Sequence, residues 1–458
     1  MTGSDFLHLD PAAAPPRART IWLVEQLRRA IADGTLSAGV RLPPSRELAA
    51  ELAFSRGVVV EAYRRLAEEG LLIAEGAAGT RVAETPPPPA PPRPGAAAPA
   101  PSEMLHLSEG APDLSAFPRA AWLRAERRVL SAATSRELGY ADPQGVGALR
   151  SALSGWLARS RGVVVAPERI IVTAGVTGAL SLTAQVMRDR GITTCAIEDP
   201  SADGNRRILD YWLDVLQPVP VDADGIDVGA LSATAARAVL TTPAHQFPTG
   251  TLLSPARRRE LVAWAERSDG LIIEDDYDSE YRYDRAPVRA LHASAPEWIL
   301  HISSLSKVLA PALRIGWLVA PEDWHEDLVR KRWATDLGSP VLPQLALAEL
   351  IRSGALERQV RRLRLRHRER RNAAVAAVRA HLRGARIEGI AAGLHLLVLL
   401  PPHLDDTSIA ARAAAAGIRV SPLSAYRFSP GDPGLVIGYG PHPPARLESA
   451  IAALGRLI

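Results

Sequence analysis

Lysine is nearly absent from this chain. Among its 54 lysines and arginines, only Lys307 and Lys331 are lysines. Arginine supplies charge and phosphate contacts, but its guanidinium stays protonated and is no amine nucleophile. Cysteine is scarcer still: Cys195 stands alone, which excludes an intrachain disulfide framework and a cysteine metal cluster. No uninterrupted apolar run is long enough to span a bilayer. The opening MTGSDFLHLD is acidic and polar, unlike a signal peptide. A strong excess of either charge is also missing: the net charge is +4, which neither demands nor forbids a polyanionic partner. These absences predict a soluble, cytoplasmic protein. At 458 residues it should hold two or three domains.

The two lysines differ in setting. Lys331, inside LVRKRW, reads as a solvated charge. Lys307, in HISSLSKVLAPALRIGW, follows a strand-like run and a Ser-rich turn. A Schiff base needs a primary amine whose pKa can fall, and Lys307 is placed to provide one.

Thr85–Pro101 reads TPPPPAPPRPGAAAPAP, with nine prolines. Such a stretch packs no core and favours extended polyproline II, roughly 50 Å long at about 3.1 Å per residue. It predicts a spacer, residues 85–104, between a module at 15–84 and a larger one at 105–458. No internal repeat is evident.

In the first module the apolar spacing predicts a helix near 21–33, with Leu23, Leu27, Ala30 and Ile31 on one face and Gly34 as its stop. Ser45 is expected to cap a short helix carrying Leu48, Ala49 and Leu52. Ala53 and Phe54 form a tight turn. Ser55 then caps a third helix with Val59, Ala62, Tyr63 and Leu66 inside, ended by Gly70. Residues 71–74 and 80–83 read as a hairpin. Two short helices on a tight turn followed by a hairpin make a winged helix-turn-helix pattern. Arg46 and Arg56 fall at helix starts, where they can meet a phosphate or a guanine edge. A three-helix protein-interaction module with solvated arginines is the alternative. The run LPPSRELAAELAFSRGVVVEAYRRLAEEGLL with GTRV resembles the GntR-type winged helix over about 65 residues. The resemblance implies that Arg46 and Arg56 contact double-stranded operator DNA, with Ser45, Ser55 and Thr80 as phosphate partners. Gly57 and Val58 stand where the family usually has polar residues, and Glu75 where its wing is usually basic. Fewer base-edge contacts are therefore expected.

After Leu105, strand-like runs at 170–175, 193–199, 238–243, 270–276, 298–304 and 314–320 alternate with helical patterns. They predict an α/β domain with a mainly parallel sheet, whose ligands bind at the carboxyl ends of the strands. Val176, Thr177 and Gly178 open a helix there, an anion-binding arrangement. Asp275, Asp276 and Tyr277 close an apolar strand, without a second cluster of metal-ligand spacing. Ser304, Ser306, Lys307 and Arg314 follow. The set offers an amine for an aldehyde, a carboxylate for a pyridine nitrogen, a phenol for a ring oxygen and donors for a phosphate. Together these describe pyridoxal 5'-phosphate (PLP). The basic run RQVRRLRLRHRERR (358–371) reads as a solvated or interface face rather than a nucleic-acid patch.

SEGAPDLSAFPRAAW, YADPQGVGALR, TTPAHQFPTG, EDDYDSEYRYDR and SSLSKVLAPALRIGW resemble the fold-type I aminotransferase-like domain of MocR/GabR-type regulators, with a small C-terminal subdomain. The resemblance implies Lys307 as the Schiff-base lysine, Asp275 on the pyridine nitrogen and Tyr277 on the ring hydroxyl. Ser304, Arg314, Val176 and Thr177 would hold the phosphate, His245 would lie near the ring, and Tyr140 would reach the neighbour's phosphate in a head-to-tail homodimer. Thr177-Gly178 replaces a usual Gln-Gln, and Ala202 a usual stacking tyrosine, a loss of about 1 kcal/mol. The last strand, LVIGYG, lacks the arginine that binds a substrate carboxylate, leaving Arg419 or Arg427 as substitutes. The expectation is a PLP-dependent DNA-binding transcription regulator that senses an amino compound, or PLP itself, through an aldimine at Lys307. An active aminotransferase with an appended module and a regulator with a vestigial pocket are the alternatives.

Overall fold

The computed structural model describes residues 9–16, 18–76, 79–84, 104–107, 110–284 and 288–458. Of the predicted spacer, only Met104 falls among them. The chain divides into two compact units, Met1–Pro101 and Ser102–Ile458.

The first unit holds α1 (Arg19–Ala32), β1 (Arg41–Leu42), α2 (Ser45–Glu51), α3 (Arg56–Glu68), β2 (Leu72–Ala74) and β3 (Thr80–Val82). The apolar faces read from the sequence meet in one core that includes Leu23, Leu27, Leu48, Val59 and Leu66. Gly34 and Gly70 follow α1 and α3 with φ of 82° and 74°, a backbone that penalises a Cβ. Two findings differ from expectation. β1 joins the hairpin through β3, giving a three-stranded antiparallel sheet in the order β1-β3-β2. Ser45 is not a cap: extended Pro44 holds that position, so the helix begins one residue earlier, at Ser45 itself, and no side chain caps it. Ser55 does sit at the cap of α3, but its side chain bonds none of the helix amides.

The second unit begins with β4 (Leu105–His106), α4 (Arg119–Ala132) and α5 (Gly147–Arg161). Its main sheet is built from β5 (Ile170–Thr173), β6 (Thr194–Asp199), β7 (Val215–Asp222), β8 (Gly225–Ile226), β9 (Ala238–Thr241), β10 (Leu271–Asp276), β11 (Ile299–Ser304) and β12 (Gly316–Val319). Between them lie α6 (Gly175–Asp189), α7 (Asp203–Trp212), α8 (Val228–Ser232) and α9 (Pro255–Ser268). The order is β5-β12-β11-β10-β9-β6-β7-β8. The central pairs are parallel, and β12 runs against both neighbours. The six strand-like runs of the sequence correspond to β5, β6, β9, β10, β11 and β12. β7 was hidden by Pro218 and Pro220. It lies next to the edge, and its outer neighbour pairs only with Val221 and Asp222, so the missing proline donors cost no ladder bond there.

Then come α10 (Glu322–Asp336), α11 (Val341–Arg352) and the long α12 (Ala355–His381). They lead to a small subdomain of β13 (Arg386–Glu388), β14 (His395–Leu399), α13 (Asp406–Ala415), β15 (Ile418–Arg419), β16 (Ser421–Pro422), β17 (Gly434–Gly438) and α14 (Pro444–Gly455). Its sheet is ordered β13-β14-β17-β16, while β15 pairs in parallel with β4. The basic run lies on α12 and is largely spent inside the domain. Arg362 donates to the Ala116 carbonyl, Arg364 to that of Arg282, and Arg366 and Arg370 hold Asp113. Among the described residues, no helix is long and apolar enough to cross a membrane.

Candidate functional site

Parallel strands deliver their last residues to one edge of the sheet, and the chemistry collects there. β10 ends in Asp275-Asp276, in register with Ile302 and Ser303 of β11. Pleating sends the two aspartates opposite ways. Asp276 turns to Arg161, in a buried two-pronged ion pair of 2.6 and 2.8 Å. Asp275 instead lines a cavity of ≈ 750 Å³, with Lys307, Tyr277, Ser304, Arg314, Val176 and Thr177 also in its wall. A cavity of this size suits a small-molecule ligand.

Asp275 is 5% exposed. Oδ2 accepts a 2.8 Å bond from Asn205 Nδ2, while Oδ1, equally buried, has no hydrogen-bond partner among the described residues. Burial pushes its pKa up from 3.8 to about 7; the Asn205 bond opposes the rise and neighbouring Asp276 adds to it. An orphaned carboxylate oxygen inside a cavity is costly unless a donor arrives. A protonated ring nitrogen is such a donor, so the residue fits the pyridine of PLP.

The anion-binding end has three sources. α6 opens with Val176 and Thr177 on the cavity, and no side chain caps its first amides. Ser304, at the end of β11, is buried. Arg314 adopts a left-handed backbone with φ 51°, and its Nη2 donates 2.5 Å to the Ala174 carbonyl just before α6. The guanidinium is thereby held against the helix N-terminus, where both favour a phosphate.

Tyr277 is half-buried, and desolvation together with Asp278 and Asp275 holds its phenol well above the usual range. It therefore stays protonated and able to donate. His245 does not line the cavity. It stands behind Tyr277, with Nδ1 3.0 Å from Tyr277 Oη and 3.0 Å from Asp278 Oδ2. Tyr140 is 95% exposed and takes no part in the cavity within one chain. Arg419 lines the cavity and Arg427 does not. Ala202 does line it, leaving Phe247 and Tyr426 as aromatic neighbours in the wall. Sequence reasoning missed these two rings, Asn205, and Gly110, whose carbonyl accepts a 2.6 Å bond from Lys307 Nζ. Asn205 had a signal: it lies three residues past Ala202, one helical turn into the stretch that follows β6.

In the first unit, Arg46 and Arg56 are exposed at the starts of α2 and α3. Neither joins an ion pair among the described residues, and neither does exposed Arg41. Arg28, Arg64, Arg65 and Arg81 are instead bound to Glu69, Glu61 and Glu75. Glu75 of the wing is thus spent on Arg81. Thr80 opens β3, half-buried. Val58 packs against the core, and Gly57 faces solvent without a side chain, so the first turn of α3 offers few donors beyond Arg56.

The comparisons agree with this geometry. Residues 22–82 match the family of bacterial regulatory proteins of the gntR type, and residues 102–454 match aminotransferase class I and II. The HTH-type pyridoxine biosynthesis transcriptional regulator PdxR of Corynebacterium glutamicum is 36% identical over 94% of this chain and 94% of its own length. The probable rhizopine catabolism regulatory protein MocR of Rhizobium meliloti is 33% identical over 98% of this chain and 95% of its own. This chain belongs to the MocR/GabR-type regulators. It is a DNA-binding transcription regulator with an aminotransferase-like domain. The crystal structure of an archaeal alanine:glyoxylate aminotransferase overlays 77% of the chain and 90% of its own length, with a TM-score of 0.71 and 26% identity. The α/β fold of this regulator's second unit is therefore the aminotransferase fold, which follows the winged helix in the chain.

Proposed function

We propose that this regulator binds PLP in the cavity at Lys307 and adjusts operator binding in response to PLP itself or to an amino compound that reaches it. In this reading residues 15–84 bind DNA, 85–104 link and 105–458 sense. The buried Asp275 Oδ1, without a partner inside a cavity that also holds Lys307, is the observation that carries it. When bound, PLP supplies an aldehyde for the Lys307 amine and a ring that withdraws electrons once its nitrogen is protonated. The protein's part is positional. Asp275 holds the ring-nitrogen proton, and Asn205 fixes the carboxylate. Tyr277 donates to the ring oxygen, with His245 and Asp278 orienting its hydroxyl. Ser304, Arg314 and the first amides of α6 grip the phosphate. Arg46 and Arg56, with Ser45, Ser55 and Thr80, face the operator. The relative named for pyridoxine biosynthesis favours PLP itself as the signal.

The active unit in this reading is a head-to-tail homodimer. Leu123 (58%), Leu130 (59%) and Trp333 (62%) are exposed on α4 and α10, apolar surface that a second copy would cover. Tyr140 would then reach the partner's phosphate. The test is a titration of the purified protein with PLP, followed by visible absorption, beside Lys307→Ala. A saturable band of lysine-bound PLP, absent from the variant, is expected. A wild-type protein without that band refutes the reading.

A further inference from the structure

Lys307 Nζ donates to the Gly110 carbonyl across 197 residues of chain, at 2.6 Å. Gly110 heads a strap that runs to Ala116 and is tied along its length. Asp113 is held by Arg366 and Arg370 of α12, each at 2.9 Å. The Ala116 carbonyl accepts from Gln359 at 2.8 Å and Arg362 at 2.9 Å, also on α12. Just before the strap, β4 pairs with β15, and Leu107 exchanges 2.8 Å bonds with Arg419 and Gly438. Among these anchors, only Lys307 belongs to the segment that follows β11. A Cβ at Gly110 would stand 2.9 Å from Nζ, and φ there is +67°. The carbonyl meets the amine because the residue is glycine.

We propose that the Gly110–Lys307 bond is a latch that registers whether the lysine is a free amine. The proposal rests on the PLP reading above. An ammonium that condenses with an aldehyde forms a carbon–nitrogen double bond, and the aldehyde oxygen leaves as water with two of the three ammonium hydrogens. The one N–H that remains is fixed in the plane of the new bond and no longer turns to Gly110. Loading the site therefore frees the Gly110 end of the strap, while Asp113 and Ala116 stay tied to α12. The freed end follows β4, the first strand of the effector unit after the Pro-rich segment, so it lies within a few residues of the point from which the DNA-binding module is tethered.

Hydrogen–deuterium exchange of the full-length protein tests this, read on peptides spanning 104–118. Three samples are compared: no ligand, PLP, and pyridoxine 5'-phosphate, which carries an alcohol in place of the aldehyde. Visible absorption is recorded on the same samples. Loss of a charge-assisted hydrogen bond predicts about tenfold faster exchange with PLP. Pyridoxine 5'-phosphate should leave the rate unchanged. Lys307→Ala should exchange at the fast rate from the start and ignore PLP. Gly110→Ala should also start fast; if it fails to fold, Lys307→Ala and the two ligands decide. A band with unchanged or slower exchange overturns the latch and leaves the PLP reading standing. Equal acceleration by pyridoxine 5'-phosphate also overturns it, because filling the cavity would then move the strap. No band in the wild type overturns the PLP reading and the latch with it.

Discussion

In the reading proposed above, Asp275 is asked for opposite protonation states with and without PLP. Burial raises its pKa from 3.8 to about 7, with the Asn205 bond and the nearby Lys307 charge opposing the rise. A raised carboxyl pKa means that the folded state keeps a proton the unfolded chain has already lost. Stability of the empty protein should therefore fall as pH rises from about 4 to about 7, then level off. Denaturant unfolding across that range, wild type against Asp275→Asn, isolates the effect: the variant should lack that part of the slope. A ring-nitrogen proton reverses the preference by pairing with the ionised carboxylate. Asp275→Asn should then bind PLP about 10- to 100-fold more weakly, the worth of one charged hydrogen bond. Equal affinities in a fluorescence or absorbance titration would remove Asp275 from the role given to it. Asn205 belongs to the same argument. It was not legible as a partner because 70 residues separate it from Asp275, and only the fold brings α7 over the end of β10.

Arg314 shows how an element's end is shaped for binding at a cost to folding. Its left-handed backbone, φ 51°, is disfavoured for any residue with a Cβ by roughly 1 kcal/mol. Arg314→Gly and Arg314→Ala both delete the guanidinium, but only alanine keeps the strain. Glycine should be the more stable by about 1 kcal/mol in urea unfolding, while both lose PLP affinity alike. A more stable alanine variant would show that the backbone there is unstrained. Strands and sites differ in how readily the sequence discloses them, and the reason is local. β5, β10 and β11 are apolar runs that end in polar chemistry, so Asp275, Ser304 and Lys307 could be placed from the chain alone. β1, β15 and β16 are two-residue strands, too short for any periodicity. Ser45 looked like a cap because its type is right, and Pro44 took the position through its fixed φ. On α2 and α3 the readable signal was the pairing pattern. Arg64 and Arg65 have glutamates one turn away, whereas Arg46 and Arg56 have none in contact among the described residues. Arg46→Ala should weaken operator binding and reduce the slope of log K against log salt by about 0.9, measured by fluorescence anisotropy at several salt concentrations.

At the scale of the whole molecule, the cavity within one chain lacks Tyr140, which the resemblance assigns to a neighbour's site. Tyr140, 95% exposed, cannot serve its own site in this geometry, so its contribution must come across an interface or not at all. The two possibilities separate in mixed dimers. Tyr140→Phe should bind PLP more weakly as a homodimer, and Lys307→Ala should form no lysine-bound PLP. In a heterodimer of the two, one site combines Lys307 from the first chain with Tyr140 from the second. The other site has neither. Exchange of subunits should thus restore wild-type affinity to half of the heterodimer's sites, although each parent is defective. Affinity that remains at the Tyr140→Phe level after exchange would place Tyr140 outside the site. A mixture that never exchanges, with both parents monomeric by analytical ultracentrifugation, would remove the homodimer itself. Arg46 and Arg56 enter at the same scale: two winged helices joined in one dimer read two half-sites. A variant held monomeric should therefore lose far more operator affinity than it loses PLP.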